Sequence, residues 1–150
     1  MSLGQMKREW KPERGPNRYR RGIYTFFWRA TPFPFLTTFD APGGVQTCTR
    51  RLRSNTPLQA LTLLNDPAMV EIAQALAARI VRERPAGDGD RIDHAFHLCL
   101  SRPPTIAERA TIERLLHQES EDSAIGSSQQ GAWSAVARVL LNLDEFVTRE

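Results

Sequence analysis

The sequence predicts an all-α protein, an irregular bundle of about five or six helices with an extended N-terminal segment rich in proline and aromatic residues. Three observations carry this. No stretch alternates apolar and polar residues as a half-buried strand would. Over the last two thirds of the chain, apolar residues recur at helical three- and four-residue spacing. Helix-start chemistry appears at Thr56, Asp66 and Thr105.

Residues 1–17 hold Lys, Arg, Glu, Pro and Gly with a single aromatic, Trp10, and read as a linker or an extension added in cloning. Residues 18–150 read as one helical domain. From Arg18 to Ala30, Ile23, Phe26, Phe27 and Ala30 fall at helical spacing, which predicts a helix with an aromatic face that Gly22 weakens. Pro32 and Pro34 then predict an extended loop to Gly44 whose phenylalanines plug the core. Asp40–Gly44 has the composition of a turn.

Two helix starts follow. Thr56-Pro57-Leu58-Gln59 is a capping box with proline at the first helical position, opening a short helix that stops near Asn65. Asp66-Pro67 repeats the device and opens a helix to about Glu83. Its face of Met69, Ile72, Ala73, Leu76 and Ile80 makes it central. After a polar loop from Pro85 to Asp90, the stripe Ile92, Ala95, Phe96 and Cys99 marks another helix. Thr105 and Glu108 form a second capping box, followed by Ile112, Leu115 and Leu116. Ser120 to Gln130 reads as a loop. The last helix, Gly131 to Thr148, is apolar nearly all round and should be sandwiched by the others.

Composition is ordinary for a globular domain, with 41% hydrophobic and 25% charged residues. No apolar run approaches the roughly 18 residues of a membrane-spanning helix. The net charge of +3 conceals an asymmetry. Residues 1–53 carry 11 Lys/Arg against 3 Asp/Glu, net +8; residues 54–150 carry 9 against 14, net −5. Such segregation points first to complementarity within the molecule and second to a polyanionic partner.

Arg50, Arg51 and Arg53, with Asn55 and Thr56, are the candidate anion-binding or interdomain-binding residues. A helix start offers free N–H groups and a partial positive charge to a carboxylate, sulfate or phosphate. The favoured alternative is structural: the arginines pair with Asp40, Asp66, or Asp144 and Glu145 and fix the loop to the bundle. His94 and His97 lie three residues apart, near Asp90 and Asp93, but on the edge of the apolar face. Both therefore read as solvated rather than as metal ligands, and His117 as a surface residue. Arginines interleaved with Tyr19, Tyr24, Phe26, Phe27, Trp28, Phe33, Phe35 and Phe39 could stack on single-stranded nucleic acid. Core packing and docking to a protein are the better readings, because no nucleic-acid module is present. Cys48 and Cys99 leave a disulfide and free thiols both open. Neither begins a Cys-x-x-Cys-His haem motif, and no Ser/His/Asp or Cys/His nucleophile arrangement is legible, so Cys48 reads as buried rather than reactive. No cofactor or metal is expected in this segment.

Several motifs together resemble one family. They are Arg20-Arg-Gly-Ile-Tyr-Thr-Phe-Phe-Trp-Arg29, Phe39-Asp-Ala-Pro42, the run from Cys48 to Pro67, Ser101-Arg-Pro-Pro-Thr105, and Leu141-Asn-Leu-Asp-Glu-Phe-Val-Thr-Arg-Glu150. The chain resembles, over about residues 18–150, the C-terminal domain of unknown function of large planctomycete proteins, many with a cytochrome-c-like domain near their N-terminus. The resemblance implies an exported, multidomain parent protein, with any redox group in another part of it. It implies no catalytic residue here. The expected function is a non-catalytic helical module that completes or docks onto the parent's other domains, with self-association through the aromatic N-terminal third a further expectation. The alternative is that the basic loop recognises an acidic or carbohydrate-derived group in a cytochrome-linked active site.

Overall fold

The computed structural model describes residues 10–11, 13, 15–28, 31–44, 47–50, 54–121 and 129–148. Among these the protein is all-α, with no strand and seven α-helices, five of them of seven residues or more. Backbone contacts cluster in two compact units, Met1–Ser54 and Asn55–Glu150.

The first unit departs from its expected helix. Gly15 to Tyr24 forms two short 3-10 turns, Gly15–Tyr19 and Gly22–Tyr24, before the chain becomes extended at Thr25. The i→i−3 bonds from Tyr24 N–H to Arg21 O and from Thr25 N–H to Gly22 O close the second turn. A run of β-branched and aromatic residues has low helix propensity, and most helical stability comes from burying a face. Ile23 is 85% exposed, so no burial offsets that cost.

The expected loop from Thr31 to Gly44 instead contains a one-turn helix, α1, Pro34–Thr38. Pro34 stands at its start, where a missing N–H costs nothing, and Phe33 takes the extended geometry that precedes proline. Asp40 ends it in the left-handed region at φ 55°. Its N–H reaches Thr37 O, and the Ala41 N–H reaches Leu36 O at 2.9 Å, the paired bonds of a Schellman cap. The Asp40 carboxylate then accepts both the N–H (2.8 Å) and hydroxyl (2.6 Å) of Ser54. Phe33, Phe35 and Phe39 are half-buried, with Phe35 and Phe39 in ring contact at 4.9 Å.

The second unit follows the expected order closely. α2, Pro57–Asn65, and α3, Pro67–Glu83, begin as expected at Thr56 and Asp66. α4, Asp88–Leu100, starts three residues earlier than expected, leaving only Pro85–Gly87 of the expected loop. α5, Ile106–Glu121, opens on the Thr105 box: Thr105 Oγ1 accepts the Glu108 N–H, and Glu108 Oε2 accepts the Thr105 N–H. Most of the loop expected between Ser120 and Gln130 lies outside the described residues.

The expected last helix is broken. α6, Gln129–Leu141, ends in i→i−3 bonds from Asn142 to Val139 and from Leu143 to Leu140. Leu143 is extended and starts a second short helix, α7, Asp144–Val147. The break leaves Phe146 exposed. It also places Asp144 and Glu145 in the first turn of α7, where the helix dipole favours them.

α6 is the centre of this unit. It packs most extensively on α3 and then α5, and also touches α2, α4 and α7. α3 presents buried Met69, Ala73, Ala77 and Ile80, but Ile72 of the expected face is exposed. α6 presents Ala132, Trp133, Val136, Ala137, Leu140 and Leu141. The alanines on both helices let their backbones approach while Trp133 and Phe96 fill the remaining volume.

Candidate functional site

The unit division falls between Ser54 and Asn55, inside the candidate segment. Arg50 belongs to the first unit and is exposed; its carbonyl accepts the Cys48 thiol at 3.3 Å. Arg51 and Arg53 lie outside the described residues. Asn55 and Thr56 belong to the second unit, where Asn55 Nδ2 donates to Asp144 Oδ1 at 2.5 Å.

Thr56 is the N-cap of α2. Its Oγ1 accepts the Gln59 N–H at 3.3 Å, its carbonyl accepts the Ala60 N–H, and Gln59 Oε1 accepts the Thr56 N–H at 2.9 Å. Gln59 is buried to do this. With Pro57 carrying no N–H, these bonds use the first-turn donors apart from Leu58. The helix start is thus largely satisfied by its own side chains.

The expected pairings of Arg51 and Arg53 lie outside the described residues, and among the described residues the same carboxylates hold these groups. Asp40 takes Ser54, Asp66 caps the Ala68 N–H at 2.8 Å, Asp144 takes Asn55, and Glu145 takes Arg102. Asn55 and Asp144, 89 residues apart, are brought together as a side-chain pair that the sequence reading did not couple.

The densest charged cluster surrounds Arg102. Its Nη1 and Nη2 hold Glu108 at 2.9 and 2.7 Å, while Nε and Nη2 hold Glu145 at 2.9 and 2.7 Å. The guanidinium also lies 5.7 Å from the centre of the Phe96 ring. Its hydrogen bonds to Glu108 and then Glu145 hold its pKa above the ordinary arginine value. Conversely Arg102, then the Thr105 N–H, pulls the Glu108 carboxyl down to about 2, and Arg102 lowers that of Glu145. The cluster ties the start of α5 to α7 and α4. In sequence, Arg102 stands out only within the motif Ser101-Arg-Pro-Pro-Thr105, without a partner; the signal available was an arginine six residues before a capping-box glutamate.

Arg91 is buried, and it caps the end of α3 by donating to Arg84 O at 2.8 Å and Pro85 O at 3.4 Å, with Asp88 Oδ1 at 3.0 Å. Asp88 also accepts from Trp133 Nε1 at 3.3 Å. Arg109 pairs with Asp93 and reaches Gly89 O.

Of the histidines, His97 and His117 are exposed as expected. His94 is not on the solvated face: it is half-buried with Nε2 2.8 Å from Glu83 Oε2, where Arg79 also bonds Glu83. Arg79 and then His94 lower the Glu83 pKa. Among the described residues no group of three or more His, Cys, Asp and Glu is placed to hold a metal ion. Cys48 is exposed rather than buried, and both cysteines are free thiols. Burial pushes the Cys99 thiol up.

The first unit carries a chain of packed rings and an exposed apolar group, and Phe26 belongs to both. Trp10, Trp28, Phe33 and Phe26 form an edge-on chain of rings, with centres 5.2–5.8 Å apart, and Trp10 Nε1 donates to Thr31 O at 3.0 Å. Ile23, Tyr24 and Phe26 project, at 85, 70 and 70% exposure, and Tyr19 and Phe27 are exposed as well. Exposed Arg20 and Arg21 adjoin them in sequence, and Arg18 lies over the Tyr19 ring at 5.9 Å. No described helix is long and apolar enough to cross a membrane.

Residues 1–116 match the family described as PSD1, protein of unknown function (DUF1553). The match takes in the Arg50–Thr56 segment, Arg102 and Glu108, and ends within α5. No curated protein and no solved structure matches the chain.

Proposed function

The chain belongs to the DUF1553 family of proteins of unknown function, and on that premise we propose that it is a non-catalytic helical module that completes or docks onto the other domains of a larger exported protein. One observation carries the reading: Ile23, Tyr24 and Phe26 project from a basic segment at an exposure ordinary for polar residues. Exposed apolar clusters rimmed by charge mark interaction surfaces, and aromatic residues with arginine are the side chains that anchor them. In the second unit, by contrast, charged side chains are spent on one another: Arg102 on Glu108 and Glu145, Arg109 on Asp93, and His94 and Arg79 on Glu83. That is the chemistry of a scaffold. In sequence, Arg50, Arg51 and Arg53 add to the basic character of the first third of the chain. The export and the larger context rest on the resemblance of the quoted motifs to the C-terminal domains of planctomycete proteins, where a cytochrome-c-like domain would carry any redox group.

Amide hydrogen exchange tests the reading. Residues 18–28 should exchange fast in this chain alone, at dilutions where it is monomeric, and be protected in the complete protein that carries it. Equal exchange in both would remove the docking role.

A further inference from the structure

We propose that the projecting Ile23–Phe26 tip takes the exposed face of α2 in a second copy of this chain, so that copies associate head to tail. This rests on the docking reading above and names its partner. Two exposed surfaces of the molecule are complementary.

The tip is apolar and cationic: residues 14–39 contain five arginines and no acidic residue. Two such tips face to face would bring like charges together, so a symmetric tip-to-tip contact is opposed electrostatically. The α2 face has the opposite character. α2 contains no charged residue, and it exposes Leu58 and Leu61 at 62 and 56%. Three residues apart, they share one face of the helix.

An acid stands at each end of the helix: Asp144, bonded to Asn55, before it and Asp66 after it. Arg138, which donates to Leu64 O at 2.8 Å, stands at the Asp66 end. The sequence from residue 54 onward carries net −5 against +8 for residues 1–53. An apolar tip with arginines thus meets an apolar stripe with carboxylates. Each copy offers one tip and one α2 face. The contact is heterologous, and it propagates beyond two copies unless a ring closes.

The test is sedimentation equilibrium of the whole chain at low and high salt. Average mass should rise with concentration past that of a dimer, and high salt should weaken association about tenfold or more. Ile23→Ser and Leu61→Ser change exposed side chains, so each should keep the parent melting curve and yet be monomeric. Mixed in equal amounts they should form a one-to-one dimer, because one retains the α2 face and the other the tip. A monomer at every concentration overturns the proposal, as does association that salt strengthens or a mixture that stays monomeric. A monomeric chain whose residues 18–28 are protected in the complete protein would overturn self-association and leave the docking role standing.

Discussion

Arg102 grips Glu145 through Nε at 2.9 Å and Nη2 at 2.7 Å, joining positions 43 residues apart in the chain. The same guanidinium holds Glu108, the capping glutamate of α5. Single exposed ion pairs contribute little, but a shared planar guanidinium with two forked partners is the geometry in which such contacts count. Arg102→Ala should lower Tm by several degrees in a calorimetric melt. Glu145→Gln should lower it less, because Glu108 keeps its partner. In the double variant the two losses should fall short of their sum, since both changes remove the same contact. Simple additivity would show that Arg102 and Glu145 act separately.

Acid should release this cluster in a defined window. Glu108 ionises at about 2 in the folded protein, below the roughly 4.3 of an unfolded glutamate. A depressed pKa contributes stability that is fully present above the unfolded value and lost as pH falls through the folded one. Glu145 and Glu83 are shifted in the same direction. Tm should therefore hold nearly level from about pH 7 to 5 and fall between about pH 4 and 2. Arg102→Ala should flatten part of that fall. An unchanged acid limb in this variant would place the acid sensitivity elsewhere.

The caps of α2 and α3 are local devices and should behave as independent ones. Thr56→Ala removes the Oγ1 acceptor of the Gln59 N–H, and Asp66→Ala removes the acceptor of the Ala68 N–H. Each should cost about 1 kcal/mol in urea unfolding, with unchanged slope. The two caps stand at opposite ends of a nine-residue helix, roughly 13 Å apart, so their effects should add. A Thr56→Ser variant, which keeps the hydroxyl, should lose little.

How much of this was legible follows from where the information sits. Thr56, Asp66 and Thr105 marked three helix starts correctly because a cap is written within four residues. The central position of α3 followed from its broad apolar face. In the first unit Ile23, Phe26 and Phe27 kept helical spacing without forming a helix, since periodicity stabilises a helix only when another surface covers the stripe. Pro34 reads in sequence as a breaker, although proline at a first turn is also a start. The break at Asn142 and Leu143 was hidden by the apolar residues on either side. At the candidate site, Asn55 and Asp144 were each noticed, but a pairing across 89 residues depends on the packing of α7, which no local pattern encodes.

Gly44 tests the packing of the first unit. Its φ is +65°, a region that costs an alanine about 1–2 kcal/mol. A Cβ there would also stand 2.9 Å from Phe27 Cζ and 3.1 Å from Cε1, so the ring would have to move. Gly44→Ala should accordingly loosen the first unit, seen as increased solvent quenching of tryptophan emission and a weaker near-ultraviolet signal from the Trp10–Trp28 ring pair. The helical circular-dichroism transition, dominated by the second unit, should shift much less. Gly44→Asn separates the two causes, since asparagine tolerates positive φ but carries the same Cβ; it should recover only part of the loss. If Gly44→Ala left the aromatic signals unchanged, the close approach of Gly44 to Phe27 would not be what orders this part of the chain.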